Sequence, residues 1–189
     1  MQEPQTEPGG VPSPREALGQ CRRCVAGMLD RLEEFAGDLF AHVRSPAAEH
    51  AERARILVAE IDEALNLHMA DEETDVFPAV LASADSPARR AQAFELVSSL
   101  LVEHREVAEQ WLALRITLLA VGGGVPAAFP GGITAGFLAR ARAHLDREEC
   151  ELAELMGMVG SSQSRQIAAS IAQRHDEVCC RIANCPRRP

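Results

Sequence analysis

Apolar residues along most of the chain recur at intervals of three and four, the period of an amphipathic α-helix. The stripe formed by Leu57, Ile61 and Leu65 is typical. Ala, Leu, Arg and Glu dominate these segments and β-branched residues do not cluster, so no segment favours a β-strand. The sequence therefore predicts an all-α protein.

Turn-forming residues divide the helical sequence into five segments. They lie at Ser45-Pro46, in SADSP at 83–87, in the Gly- and Pro-rich stretch 122–132, and at 157–162. The predicted helices, named A to E, span about 15–44, 47–82, 87–121, 133–157 and 163–182. Long helices joined by short turns pack antiparallel, so we expect an up-down-up-down four-helix bundle with a short C-terminal extra helix.

The domain organisation follows from the same pattern. Residues 1–14 are rich in Pro, Gly, Gln and Glu and carry no apolar period, so we expect a disordered leader there. The bundle is then expected at 15–158, and a C-terminal helix with a Cys-containing tail at 159–189.

Composition excludes several classes of partner. The 189 residues carry a net charge of −9, and a nucleic-acid or anionic-membrane surface would normally be basic. No apolar run approaches the roughly 20 residues that cross a bilayer, and the N-terminus lacks the pattern of a secretion signal. We therefore expect a cytoplasmic protein with no nucleic-acid or membrane partner. Its six cysteines would then be free thiols or metal ligands.

Polar residues interrupt the apolar stripes of three predicted helices. His68 and Glu72 lie in the stripe of helix B, His104 in that of helix C, and His144 and Glu148 in that of helix D. The spacing of four residues places each His and its Glu on one helical face. Three helices thus direct imidazole or carboxylate groups into the bundle.

The lengths of the connections place these groups in one layer. His68 precedes Asp85, in the turn between helices B and C, by 17 residues, and His104 follows that turn by 19. At about 1.5 Å per residue the difference is only about 3 Å. Burying these charges costs several kcal/mol unless they are paired or coordinated. Imidazole and carboxylate suit iron, manganese or zinc, and helical bundles hold carboxylate-histidine sites in which carboxylates bridge two metals.

Three motifs together resemble the hemerythrin-like, or HHE cation-binding, domain. They are HMADEETDVFP at 68–78, Glu103-His104, and HLDREE at 144–149, in that order on helices B, C and D. The resemblance covers about residues 15–158. It implies a non-haem di-iron bundle used for oxygen binding, for oxygen or redox sensing, or for iron handling. It also implies terminal ligands at His68, His104 and His144 and bridging carboxylates at Glu72 and Glu148.

Helix A departs from this pattern. The family has a ligand histidine there, whereas the position that faces the site is Arg22, as far from the turn at Ser45 as His68 is on the other side. Helix C also lacks a second histidine one turn from His104. An inward guanidinium would repel a cation and pair with Glu72 or Glu148, so that a metal-free salt bridge replaces one iron. If Arg22 instead points outward, a mononuclear or asymmetric metal site remains.

The other polar residues and the cysteines have plainer interpretations. Asp71, Glu73, Asp75 and Glu103 are expected to be solvated charges or outer partners of the site, and Phe77 and Trp111 to be core residues. Cys21 and Cys24 form a C-x-x-C pair that tail residues Cys179, Cys180 and Cys185 could approach, giving a zinc or thiol-redox site. The alternative is that Cys21 and Cys24 are small core residues. Cys150 is expected to have no role.

The sequence therefore favours a metal-binding, oxygen- or redox-responsive protein over an enzyme. The expected cofactor is iron, as a di-iron site or as a mononuclear or zinc site, and the expected partner is dioxygen or a small redox ligand. No catalytic residue and no protein partner is predicted. The alternatives are a metal-free interaction module, a di-metal oxidase or peroxidase, and a thiol-based sensor that depends on Cys24.

Overall fold

The computed structural model describes residues 14–41, 47–125 and 131–179. Seven α-helices lie in these ranges: α1 Pro14–Ala41, α2 Ala47–Asp71, α3 Phe77–Ser83, α4 Pro87–Gly122, α5 Gly131–Arg147, α6 Ala153–Met156 and α7 Ser161–Cys179. Two π-helical turns, Glu72–Val76 and Glu148–Leu152, join α2 to α3 and α5 to α6. Each pair is therefore one continuous helical rod, and the described residues contain no strand.

The all-α prediction is confirmed. Predicted helices B and D are these two rods, and helix C is α4, which ends one residue later than expected. Helices D and E each begin two residues earlier than expected, at Gly131 and Ser161. The leader, apart from Pro14, and the predicted ends at 44 and 182 lie outside the described residues.

The ends of α4 show why its sequence starts and stops a helix where it does. The Ser86 side chain accepts a hydrogen bond from the Arg89 backbone N–H at 3.3 Å, and Pro87 occupies the first turn, where no backbone donor is needed. Past the other end, Gly124 takes a positive φ of 75° that disfavours other residues. These signals fix the length of the central helix.

Four helical segments pack around one axis. Going around the bundle, α1 packs on α2, α2 on α4, α4 on α5 and α5 on α1. Helix α7 lies against α1 and α2. This closed ring of contacts is the predicted four-helix bundle with an added C-terminal helix. None of the helices in the described part of the chain is long and apolar enough to cross a membrane.

The core consists of two apolar clusters with a polar layer between them. One cluster includes Leu32, Leu114 and Phe137, and the other includes Val80 and Leu100. Along each of the four bundle segments, a polar residue lies between residues of one cluster and residues of the other. These polar residues are Arg22, Glu72, His104 and Glu148. The apolar material above and below therefore seals the layer from water.

The predicted stripes are largely buried, with one error in helix C. Continuing the stripe of helix C by four residues from His104 predicts that Ala108 faces the core, but Ala108 is exposed and Val107 is buried in its place. One residue corresponds to about 100° of rotation on a helix, so both the step from His104 to Val107 and the step to Ala108 fit a helical stripe. Packing against the neighbouring segments selects Val107.

Candidate metal centre

All five residues predicted to bind metal meet in the polar layer. Their donor atoms lie within 4.8 Å of one another. None of the five exceeds 4% exposure, and both glutamates are fully buried. We call this group the His/Glu cluster; it comprises His68, Glu72, His104, His144 and Glu148.

A π-helical turn begins at each glutamate of the His/Glu cluster. The Glu72 carbonyl accepts a hydrogen bond from the Phe77 N–H, and the Glu148 carbonyl accepts one from the Ala153 N–H, five residues further on in each case. Single π-turns inside α-helices are frequent at functional sites. The repeated His-x-x-x-Glu unit is thus repeated in backbone geometry as well as in sequence, which the residue pattern did not reveal.

Glu148 occupies the middle of the cluster. Its Oε1 atom lies 2.5 Å from His144 Nε2, 3.2 Å from His68 Nε2 and 3.9 Å from His104 Nε2. Glu72 lies opposite, with Oε2 3.4 Å from His104 Nε2. The three Nε2 atoms and the two carboxylates therefore converge on one small volume.

Two of the histidines are held from behind by carboxylates. The Nδ1–H of His104 donates to Glu73 at 2.7 Å, and that of His144 donates to Glu103 at 2.9 Å. Glu103 also accepts from Arg147. These bonds fix the ring orientation and leave each Nε2 free to face inward, the usual outer support of metal-ligating histidines. Glu73 and Glu103 were expected to be solvated charges or outer partners of the site; both contact a histidine of the cluster, and the Glu73 side chain is also 45% exposed.

His68 is held by sulfur instead. Cys21 Sγ lies 3.9 Å from His68 Nδ1, within hydrogen-bond range for sulfur. Cys21 is itself buried, so the plain interpretation of this thiol as a small core residue is correct as far as burial goes. Its neighbours make it part of a second group of polar residues.

That second group surrounds Asp71, which was expected to be a solvated charge or an outer partner of the site and which is fully buried. The Nε2–H of His175 donates to Asp71 Oδ2 at 2.6 Å, and Arg174 donates to Asp71 Oδ1. Donor atoms of Cys21, Asp71 and His175 also lie within 4.8 Å of one another. We call these three residues the Cys/Asp/His cluster. Neither Arg174 nor His175 was predicted from the sequence to belong to a site.

Arg22 points into the His/Glu cluster. Its Nε donates to Glu148 Oε2 at 3.1 Å, and its Nη2 lies 3.7 Å from Glu72 Oε1. The side chain is only 12% exposed. Arg22 therefore occupies the position predicted for it and contacts both carboxylates that the family resemblance makes bridging ligands.

The pKa values show how strongly the cluster groups interact. Burial lowers the pKa of His68, but the charges of Glu148 and Glu72 outweigh burial and raise it well above its ordinary value. Burial likewise opposes the rise for His104, whose hydrogen bonds to glutamates bring its pKa to about 9. Burial raises the pKa of Glu72, and the nearby Glu148 charge adds to that effect. A cation that binds to His68 and His104 would therefore compete with protons for these two imidazoles.

Arg22 does not satisfy the cluster. Both carboxylate oxygens of Glu72, together with Nε2 of His104 and of His144, are buried without a hydrogen bond of acceptable geometry among the described residues. Oppositely charged groups lie close to them, with His144 Nε2 2.5 Å from Glu148 and His104 Nε2 3.4 Å from Glu72, but none of these contacts is a well-aligned hydrogen bond, and buried polar atoms in this condition are rare. Two imidazole nitrogens and one carboxylate that share a buried volume fit a bound transition-metal ion. The residues present therefore fit a metal.

The remaining predictions are met in part. Phe77 and Trp111 are core residues, and Phe77 stacks on the His104 ring at 5.6 Å. Cys150 is exposed and Cys24 is half-buried. Cys180 and Cys185, together with the side chain of Cys179, lie outside the described residues, so the proposed site with the tail cysteines is untested.

Comparison with known families gives one match. The family model described as the Hemerythrin HHE cation binding domain matches residues 25–156. The match includes all five members of the His/Glu cluster, while Cys21, Arg22 and His175 lie outside it. No curated protein and no solved structure gave a significant match.

Proposed function

We propose that this chain, which belongs to the hemerythrin HHE cation-binding domain family, holds one iron ion in the His/Glu cluster and uses it to bind or sense dioxygen or another small redox ligand. The observation that supports this proposal most directly is the set of four buried atoms on Glu72, His104 and His144 that lack a well-aligned hydrogen bond. A cation between them removes the cost of their burial, which Arg22 leaves in place.

Arg22 supports one ion rather than two. A guanidinium always carries a charge and cannot ligate, and this one lies against Glu72 and Glu148. A second cation bridging the same two carboxylates would have to share that space with a positive charge. The guanidinium therefore takes the place of a second metal, and the unsatisfied donors favour one ion on the side of His104 and His144.

The chain's own residues determine what such a site does. Glu73 and Glu103 hold two imidazoles in place, and the two apolar clusters exclude bulk water from the layer. Bound iron would supply reversible redox chemistry and affinity for dioxygen, which zinc, having no redox states, lacks. The near-complete burial of all five donors favours a ligand as small as dioxygen over a macromolecule.

Metal analysis tests the proposal. The chain, purified without chelators and reloaded anaerobically with Fe(II), should bind close to one iron per chain, and its optical spectrum should change on exposure to air. His144→Ala should lose most of the metal while remaining helical by circular dichroism. His50→Ala is the matched control, because His50 lies outside the cluster against the Phe35 ring and should keep full occupancy.

A second candidate function is that of a metal-free bundle that acts as an interaction module. One observation favours it, the contact of Arg22 with Glu148. It predicts almost no bound metal and no change in thermal unfolding on addition of Fe(II), Mn(II) or Zn(II). A chain that binds iron tightly but shows no spectral response to air, nitric oxide or peroxide would retain the metal site and refute the redox role.

A further inference from the structure

The Cys/Asp/His cluster lies at the junction of three helices. Cys21 is on α1, Asp71 ends α2, and His175 is near the end of α7. Cys21 and His175 lie outside the family match at 25–156. This group of residues therefore depends on an element, α7, that the chain adds to the matched region.

A purely structural role, the attachment of α7 to the bundle, explains only part of this cluster. Asp71 is fully buried, and its pairs with Arg174 and His175 fasten α7 to the bundle. That role needs no thiol. Yet the Cys21 sulfur lies within 4.8 Å of the Asp71 and His175 donor atoms, and Cys21 is only 2% exposed beside them. Three different metal-ligating groups thus converge, although the pairing of Asp71 with α7 would be enough to hold that helix against the bundle.

We propose that Cys21, Asp71 and His175 form a second metal site, one that takes zinc or a similar borderline-soft divalent ion through a thiolate, a carboxylate and an imidazole. These are three of the ligand types that zinc prefers. Three protein ligands leave a fourth tetrahedral position for solvent or a small molecule. Arg174 pairs with Asp71 Oδ1, which leaves Oδ2 for the ion once the ion replaces the hydrogen bond between Oδ2 and His175.

The charges around the cluster balance when such an ion binds. Asp71, Asp75 and a Cys21 thiolate contribute three negative charges, while Arg174, which pairs with both aspartates, contributes one positive charge. A divalent ion supplies the other two, provided that His175 is neutral. Binding requires a thiolate and a neutral imidazole, and these groups together with the ion then carry no net charge.

This site differs chemically from the His/Glu cluster, which contains no sulfur. Cobalt(II) is therefore a selective probe, because a Co(II)–thiolate bond gives a near-ultraviolet charge-transfer band that nitrogen and oxygen ligands do not. Titration of the metal-free, reduced full-length chain with Co(II) should produce this band, which should be saturated by two equivalents because the His/Glu cluster also takes a divalent ion. Zinc should then abolish the band by displacement.

Variants assign the band to residues. Cys21→Ser should abolish it, and His175→Asn should weaken Co(II) binding at least tenfold. Cys24→Ser and Cys150→Ser are matched controls that should retain it, and His144→Ala should retain it while losing iron. A folded chain that gives no band, a band that survives Cys21→Ser, or one that disappears in Cys150→Ser would each overturn the proposal. None of these results bears on iron in the His/Glu cluster. If Cys21→Ser fails to fold, the His175→Asn affinity decides.

Discussion

Replacing Arg22 with methionine separates the role of its charge from that of its bulk. Methionine keeps an unbranched chain of similar reach in a side chain that is only 12% exposed, and it removes the guanidinium that contacts Glu72 and Glu148. We expect opposite effects on the metal-free and metal-loaded protein. The metal-free chain should lose stability, and the affinity for metal should rise.

The loss in the metal-free chain has a calculable limit. Removing one partner of a buried ion pair costs roughly 3–5 kcal/mol. Here Glu72, whose pKa burial and the Glu148 charge already raise, can take up a proton instead. Protonating a carboxyl group of ordinary pKa at pH 7 costs about 3 kcal/mol at most. We therefore expect the free energy of unfolding to fall by about 2–3 kcal/mol.

The gain in affinity comes from removing a positive charge beside the cation. Arg22 lies 3.1 Å from a Glu148 oxygen, and a ligated metal lies about 2 Å beyond such an oxygen, so the two charges are about 5 Å apart. Even a unit of positive charge at that distance and an effective dielectric constant of about 20 repels the guanidinium by about 3 kcal/mol. This corresponds to roughly a hundredfold tighter binding in the variant.

Urea unfolding of the metal-free proteins at pH 7 and competitive titration with Zn(II) or Fe(II) measure the two effects. Arg23→Met is the matched control, because Arg23 is exposed and donates to Gln20 rather than to the His/Glu cluster. That variant should match the original chain in both measurements. If Arg22→Met keeps the original unfolding midpoint and gains less than about threefold in affinity, the guanidinium is not the counter-charge of the cluster.

Three further predictions concern Glu103, Arg22 and His175. Glu103→Gln removes the carboxylate that holds His144 and should weaken metal binding, measured by titration, about 10- to 100-fold. The control Glu106→Gln, in an exposed pair with Arg140, should leave the affinity unchanged, and equal affinities of the two variants would show that Glu103 does not support the His144 ligand. Arg22→His restores a ligating side chain and should raise iron per chain above one by elemental analysis; an unchanged ratio would count against the family alignment on α1. Burial lowers the pKa of His175, but its hydrogen bond to Asp71 outweighs burial and raises the pKa to about 10. The contribution of His175 to the stability of the metal-free chain is therefore full below about pH 6.5 and disappears as pH rises through 10. His175→Gln should cost on the order of 2 kcal/mol of unfolding free energy at pH 6 after allowance for solvent screening, and an equal cost at pH 6 and pH 10.5 would refute this pH dependence.

The sequence was sufficient to predict the His/Glu cluster because its members break a regular pattern. A histidine or glutamate in an apolar stripe, such as Glu148 between Ala141 and Leu152, has to be buried if the helix packs at all. Connection lengths then align the layers without any knowledge of side-chain conformation. The same reasoning located Arg22, since counting from a turn fixes height along a bundle.

The Cys/Asp/His cluster could not be predicted in this way. Asp71 and His175 lie among polar neighbours, and their burial depends on where α7 docks, which no local period records. The π-turns were missed for a related reason. A one-residue change of helical phase at Glu72 or Glu148 leaves the His-x-x-x-Glu spacing intact and rotates only the residues beyond each glutamate.

Helix α1 connects the two clusters even though it contributes no ligand to the His/Glu cluster. Arg22 contacts Glu72 and Glu148, while the adjacent Cys21 contacts His68 and shares a volume with Asp71 and His175. Neighbouring residues on a helix point about 100° apart, so this stretch of α1 lies at the boundary between the two polar volumes. A cation in either volume changes the charge that one of these two residues faces. Because α1 carries both residues on one helix, a cation bound in either cluster would act on a residue adjacent to the one that contacts the other cluster.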